Sequence, residues 1–228
     1  MSGAVSKRDK SLATQLPFAG ERETLGRVRR TLSELCTEDR ISIEPDSLLA
    51  RELPYLGLEH IESITGQIIK DRVAASEDEG RSTTFRFDAQ HVLYGKLRPY
   101  LNKVALPDFE GRCTTELIPL LPRPGVSREF LAWLLRRPQT VEAAMREKTG
   151  ARMPRANMRY VLSLVVTIPA QIEEQRRLAA EMDARMSLIT EAKAACQEQL
   201  RLLDTYAEKV LAYFSNYDPP DDEEVPRS

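Results

Sequence analysis

The chain has 228 residues, 42% of them hydrophobic and 30% charged, which is the makeup of a soluble globular protein with room for one or two domains. Its 33 basic residues nearly balance 35 acidic ones, and a net charge of −2 would by itself argue against a polyanion as partner. The total hides a segregation: residues 70–160 carry seventeen basic and eleven acidic side chains, residues 161–228 seven and thirteen. Local fields steer a polyanion, so the basic middle keeps that class of partner open.

Several other classes fall away. The longest largely apolar stretch, Tyr160 to Ala170, is short and broken by Ser163, Thr167 and Pro169, so no membrane span is expected. Lys7, Arg8 and Lys10 stand where a signal peptide needs its apolar run, and no secretion is expected. Cys36, Cys113 and Cys196 lie far apart, an odd number without metal-ligand spacing, and read as reduced thiols of a cytoplasmic protein. With His60 and His91 the only histidines, no metal site is expected.

In chain order, residues 1–20 are small, polar and aperiodic, a flexible lead-in. From Glu21 to Cys36, Leu25, Val28, Leu32 and Leu35 recur at helical spacing and predict a short amphipathic helix. Stretches with strand character follow at Leu53–Ile61, Gly66–Val73, Thr83–Phe87, His91–Leu97 and Cys113–Leu121, with the acidic Ser76–Gly80 run as a surface loop. Ser127 predicts an N-cap for a helix carrying Phe130, Leu131, Leu134 and Leu135. Pro138 interrupts it, and a second short helix ends near Gly150. Met158–Ile168 reads as a further strand.

From Gln171 to Ser215 there is neither glycine nor proline. Met182, Ile189, Cys196, Leu203 and Val210 fall seven apart. Met186, Leu200, Ala207 and Phe214 hold the complementary four-residue offset, where Lys193 is the one polar break. That is a coiled-coil seam on a single long helix, and it requires another helix against it. The fold class is therefore α+β, one mixed α/β domain followed by a long C-terminal coiled-coil helix. The acidic, proline-bearing residues 217–228 predict a disordered tail.

Motifs for catalysis are poor. Asp218-Pro219-Pro220-Asp221 is similar to the base-holding motif of amino-methyltransferases, but it lacks the aromatic and no glycine-rich methyl-donor loop precedes it. Pro45-Asp46 and Pro107-Asp108 could open a nuclease motif, yet neither continues with the acid and lysine it needs. No P-loop or Ser/His/Asp set is present, and the two histidines read as structural. No catalytic residue is assigned.

Two basic segments stand out instead. Gly95–Lys103 places Lys96, Arg98 and Lys103 around Tyr100 and Asn102, with Pro99 stiffening the stretch. Lys148–Asn157 interleaves Arg152 and Arg155 with Gly150, Met153 and Pro154 and ends on Asn157. Arginine and asparagine suit base edges and lysine suits phosphate, although a basic turn is more often only a solvated surface.

Taken together, five segments carry a resemblance: Tyr55–Ile68, Val92–Val104, Phe109–Leu120, Thr149–Met158 and Ile168–Asp183. In that order they resemble the specificity subunit of Type I restriction–modification enzymes, over roughly residues 50–215. The resemblance implies a target-recognition domain at 21–168. It also implies a helix at 169–216 for dimerisation and methyltransferase docking. DNA contact would fall to Lys96, Arg98, Lys103, Arg152 and Arg155, supported by Tyr100 and Asn157. Family members reading different sequences share these segments, so such residues suit phosphate, and base readers are expected elsewhere, such as Lys70–Thr84 or Ser127–Arg146.

The usual subunit carries two recognition domains and two helices; this sequence shows one of each and resembles half a subunit. A homodimer through antiparallel helices would rebuild the usual arrangement. The implied partners are double-stranded DNA, adenine methyltransferase subunits and a motor-nuclease subunit. S-adenosylmethionine belongs to the methyltransferase, and no cofactor is expected on this chain. The competing expectation is an interaction or regulatory protein that offers only its helix to a related assembly.

Overall fold

The computed structural model describes residues 26–69, 82–150 and 152–215. The lead-in, the acidic Ser76–Gly80 run and the tail with its Asp-Pro-Pro-Asp sequence lie outside the described residues. Ten strands are described: β1 (Arg27–Thr31), β2 (Cys36–Glu38), β3 (Ser42–Ile43), β4 (Tyr55–Leu56), β5 (Thr84–Phe87), β6 (Val92–Gly95), β7 (Val104–Ala105), β8 (Gly111–Thr114), β9 (Leu117–Pro122) and β10 (Val165–Pro169). Six helices join them: α1 (Leu32–Leu35), α2 (Leu48–Glu52), α3 (Arg128–Arg136), α4 (Pro138–Arg146), α5 (Met158–Ser163) and α6 (Ile172–Ser215).

The strands form one two-stranded and two four-stranded sheets, in the orders β1-β10, β2-β9-β6-β7 and β3-β5-β8-β4. The β2-β9-β6-β7 sheet is the middle layer, and its side chains alternate between two cores. Val92, Tyr94, Val104, Ile118 and Leu120 pack with Phe130, Leu131, Leu135, Val161 and Ala179 on the helical side. Leu93, Ala105 and Leu117 point the other way, onto Leu56, Phe87 and Cys113 of the β3-β5-β8-β4 sheet. Burial on both faces explains why β6 and β9 read as unbroken apolar runs rather than alternating ones.

Both predicted helices near residue 130 form. The Ser127 hydroxyl accepts from the Phe130 amide at 3.3 Å, and α3 stops at Arg137, whose extended backbone leads into Pro138 at the start of α4. Elsewhere the sequence reading needs correction. Within Glu21–Cys36 the described part is strand β1, paired antiparallel with β10 from Arg27↔Pro169 to Thr31↔Val165, and only Leu32–Leu35 is helical. Four apolar positions at three- and four-residue spacing are too few to fix the period against a waiting strand edge.

Leu53–Ile61 keeps only Tyr55 and Leu56 as strand. The chain then enters a 3-10 turn at Leu58–His60, where His60 Nδ1 accepts from the Gly57 amide at 3.1 Å. Of Gly66–Val73, the described part contributes an isolated bridge between Ile61 and Ile68. Cys113–Leu121 is two strands in different sheets, broken by a turn at Thr115-Glu116. Met158–Ile168 begins as a helix, because Asn157 caps it by accepting from the Tyr160 amide at 3.4 Å, and becomes strand only at Val165.

Helix α6 has 44 residues and is about 66 Å long. Its first turns are cemented to the domain. Gln175 is buried; its Oε1 accepts from the Ser127 amide at 2.9 Å, and its Nε2 donates to the carbonyls of Pro169 at 3.0 Å and Gly125 at 3.3 Å. Ala179 packs into the large core, and Asp183 accepts from Trp133 Nε1 at 3.0 Å. Beyond Met186 every residue of the helix to Ser215 is exposed.

Candidate nucleic-acid interface

The two basic segments lie side by side. The Arg98 amide donates to the Pro154 carbonyl at 2.7 Å, the Ala156 amide to Lys96 O at 2.8 Å, and Leu97 bridges Arg155. Thr149 and Arg155 exchange a second pair of backbone bonds at 2.9 and 2.8 Å, closing the second loop on itself. Backbone groups that a solvated loop would leave to water are thus spent on each other, and the two segments form one rim.

Glu116 sits between two of the cations. Its Oε1 lies 2.8 Å from Arg155 Nε and its Oε2 3.9 Å from Lys96 Nζ. Both positive charges are partly offset at the surface. Arg98 and Arg152 are exposed, and Tyr100 keeps 52% of its surface open. Arg98 holds φ = 51°, a left-handed conformation that costs a residue with a Cβ roughly 1–2 kcal/mol. The Pro154 carbonyl and the bond from Leu101 N to Arg98 O, 2.9 Å, hold it there.

The other candidates are committed to the fold. Lys103 donates to Leu58 O at 2.6 Å; burial pulls its pKa below the usual lysine value, with Glu59 drawing it partly back. Asn157 is the α5 cap. Asn102 Nδ2 donates to Arg136 O at 2.9 Å, and Arg136 bonds Val104 O at 2.6 Å, so the far end of the loop is tied to α3. Gly66 lies against the same Val104 carbonyl with φ = 69°, and a Cβ there would meet that oxygen at 1.8 Å. Only glycine fits.

Folding also adds residues that no spacing announced. An open groove of about 640 Å³ runs beside the rim, lined by Glu38, Arg40, Lys96, Asn157 and Arg159 among others. A second cleft, about 750 Å³, is lined by Glu62, Asp108 and Asp183 with Arg136 as its one cation, an acidic balance that does not suit phosphate. Among the described residues no group of three or more His, Cys, Asp or Glu could hold a metal ion, and no helix is long and apolar enough to cross a membrane.

The seam residues divide. Met182 and Met186 are half-buried near the domain. Cys196 is exposed, as are Ile189, Leu200, Leu203 and Phe214, each with more than half its surface open, and Val210 with 39%.

The α/β domain and its long C-terminal helix share their fold with part of a solved Type I specificity subunit. The HsdS subunit from Thermoanaerobacter tengcongensis matches 88% of this chain with a TM-score of 0.62 at 21% identity. A chain from the structural work on complex assembly and conformational transition of the type I R-M system matches 91% with a TM-score of 0.68, also at 21% identity. In sequence, the chain is 24% identical over 165 residues, 69% of its length, to the Type I restriction enzyme EcoDI specificity subunit of Escherichia coli. No family model matches the chain. The chain spans 35% of the curated relative, and 53% of each of the two structures. The resemblance read from the sequence and the α+β fold class both hold.

Proposed function

We propose that this chain is a non-catalytic DNA-sequence-recognition subunit of a Type I restriction–modification system. Residues 21–168 read one half-site; residues 169–216 pair with a second copy and position adenine methyltransferase subunits. The observation that carries this reading is the basic rim at Lys96–Lys103 and Thr149–Asn157, knitted together by backbone bonds. A preorganised cationic surface on a scaffold of this fold is suited to a duplex. S-adenosylmethionine resides on the methyltransferase, a motor-nuclease subunit completes restriction, and the assembly works in the cytoplasm.

Self-pairing has support in the seam. Run antiparallel, Met182 faces Phe214, Met186 faces Val210, Ile189 faces Ala207 and Cys196 faces Leu200, each layer repeated by symmetry. Lys193 then faces Leu203, one polar break per half, which fixes register at some cost in stability. Two identical readers related by a twofold axis bind an interrupted palindrome.

The test is to co-express the full-length chain with the methyltransferase subunit, weigh the complex by light scattering, and map methylated sites. Two copies of this chain with two methyltransferases, and an interrupted palindrome, are expected. A single copy, or an asymmetric bipartite site made by this chain alone, overturns the homodimer. A complex that binds duplex without sequence preference overturns the recognition role.

A further inference from the structure

We infer that the groove beside the basic rim is where base edges are read, with Arg40 addressing guanine and Glu38 the paired cytosine. This rests on the recognition function proposed above and names residues that neither the sequence reading nor the relatives assign. Glu38 ends β2 and Arg40 follows it into the turn to β3, so both reach the groove from a part of the chain far from the loops that form its other wall.

The chemistry of the pair argues for a base rather than a phosphate. Arg40 Nη2 lies 2.5 Å from Glu38 Oε2, and both side chains keep part of their surface open, 41% and 23%. A carboxylate this close opposes an incoming phosphate but accepts from the N4 amino group of cytosine, while the guanidinium fork matches O6 and N7 of guanine. One G·C pair presents both sets of atoms in the major groove. Lys96, whose Nζ stands 3.9 Å from Glu116 rather than in direct contact, and Arg159 also line the groove and supply cations of the kind that hold a backbone.

Reading a base also needs a rigid mount, and the turn has one. Glu38 pairs with Leu120, the Asp39 amide donates to Pro119 O at 2.9 Å, and the Arg86 amide donates to Ile41 O at 2.9 Å. Asp39 Oδ2 contacts Nε2 of buried His91 at 3.1 Å, and His91 Nδ1 contacts Asp88 Oδ1 at 2.8 Å. The turn is fixed on both sides of the two reading side chains. Glu38 and Arg40 also precede the segments, beginning at Tyr55, that resemble other specificity subunits. Residues outside a shared pattern are free to differ between proteins with different targets.

The experiment is enrichment of bound sequences from random duplexes. It uses the full-length chain in complex with the co-expressed methyltransferase, in native form and as Arg40→Ala, Arg40→Lys and Lys96→Ala. The native complex should enrich a half-site with a fixed guanine. Arg40→Ala should erase preference at that position alone, lowering affinity for the native site by about tenfold or more while leaving random duplex unaffected. Arg40→Lys keeps the charge but loses the fork, and should retain at most part of the same preference. Lys96→Ala should weaken all duplexes alike and flatten the salt dependence by about one unit of slope. Circular dichroism confirms that each variant is folded. An enriched motif unchanged in Arg40→Ala, or affinity lost equally for every duplex, overturns the inference alone, the latter because it marks a phosphate contact. If the native complex enriches nothing, the recognition function falls and takes the inference with it.

Discussion

The two halves of α6 share one helix and live under opposite rules. In the first half Gln175 and Ala179 are buried, Leu178 packs on the core, and Asp183 holds Trp133. In the second half Leu200, Leu203 and Phe214 stand in solvent with 61, 64 and 69% of their surfaces exposed. Nothing in composition separates them, since both lack glycine and proline and both carry apolar residues at helical spacing. The difference is what faces them: a domain of the same chain, or nothing among the described residues. An exposed row of large apolar side chains some 40 Å long is rare on a monomer and marks an association surface.

The largest expected effect comes from the second half. Replacing Ile189 and Leu200 together with aspartate should raise the dissociation constant of the proposed dimer by about a hundredfold or more, because charges facing Ala207 and Cys196 desolvate without partners. Both side chains are exposed in the single chain, so its melting as a monomer should not change. Light scattering across a dilution series reads the first and a thermal melt the second; a dimer that survives both substitutions places the partner surface elsewhere.

Gln175→Ala in the first half should act in the reverse sense. It leaves the Ser127 amide and two carbonyls without their partner and should destabilise the domain by about 1–3 kcal/mol in urea unfolding. Pairing at high concentration should persist. Loss of pairing without loss of stability would mean that this clamp serves the partner rather than the domain.

The smallest effect is a rate at one thiol. Cys36 and Cys113 are buried, and burial pushes the Cys36 thiol up to about 12 and the Cys113 thiol up as well, so both stay protonated and unreactive near neutral pH. Cys196 is exposed. A maleimide should therefore label one thiol per native chain and three in denaturant, and labelling should slow as the chain is concentrated and Cys196 enters the seam. A rate independent of concentration would remove Cys196 from the contact.

What could be read from the sequence follows the same division. Helices α3 and α4 were legible because Ser127 and Pro138 act locally, through a cap and a missing N–H. Helix α6 was legible because a long period without breakers has no rival interpretation. The β1 segment was not, since its strand state depends on β10, more than a hundred residues away. The split of Cys113–Leu121 was hidden for a related reason: strands buried on both faces show no alternation to mark where one ends. Lys96 with Arg98, and separately Arg152 with Arg155, could be picked out as clusters in the sequence, but that the two clusters adjoin could not. Arg40, Arg159 and Gln175 could not, because each becomes meaningful only through residues brought in from distant parts of the chain.

The middle sheet, with both faces buried, divides the labour of change during evolution. Substitutions in β6 or β9 disturb two cores at once and are punished heavily. The loop that follows β6 and the Glu38–Arg40 turn that follows β2 leave the ends of this sheet with side chains partly in water, where replacements typically stay within about 0.5 kcal/mol. New surface chemistry can thus be tried many times over on an unchanged framework, and the framework sets no memory of what the surface touched before.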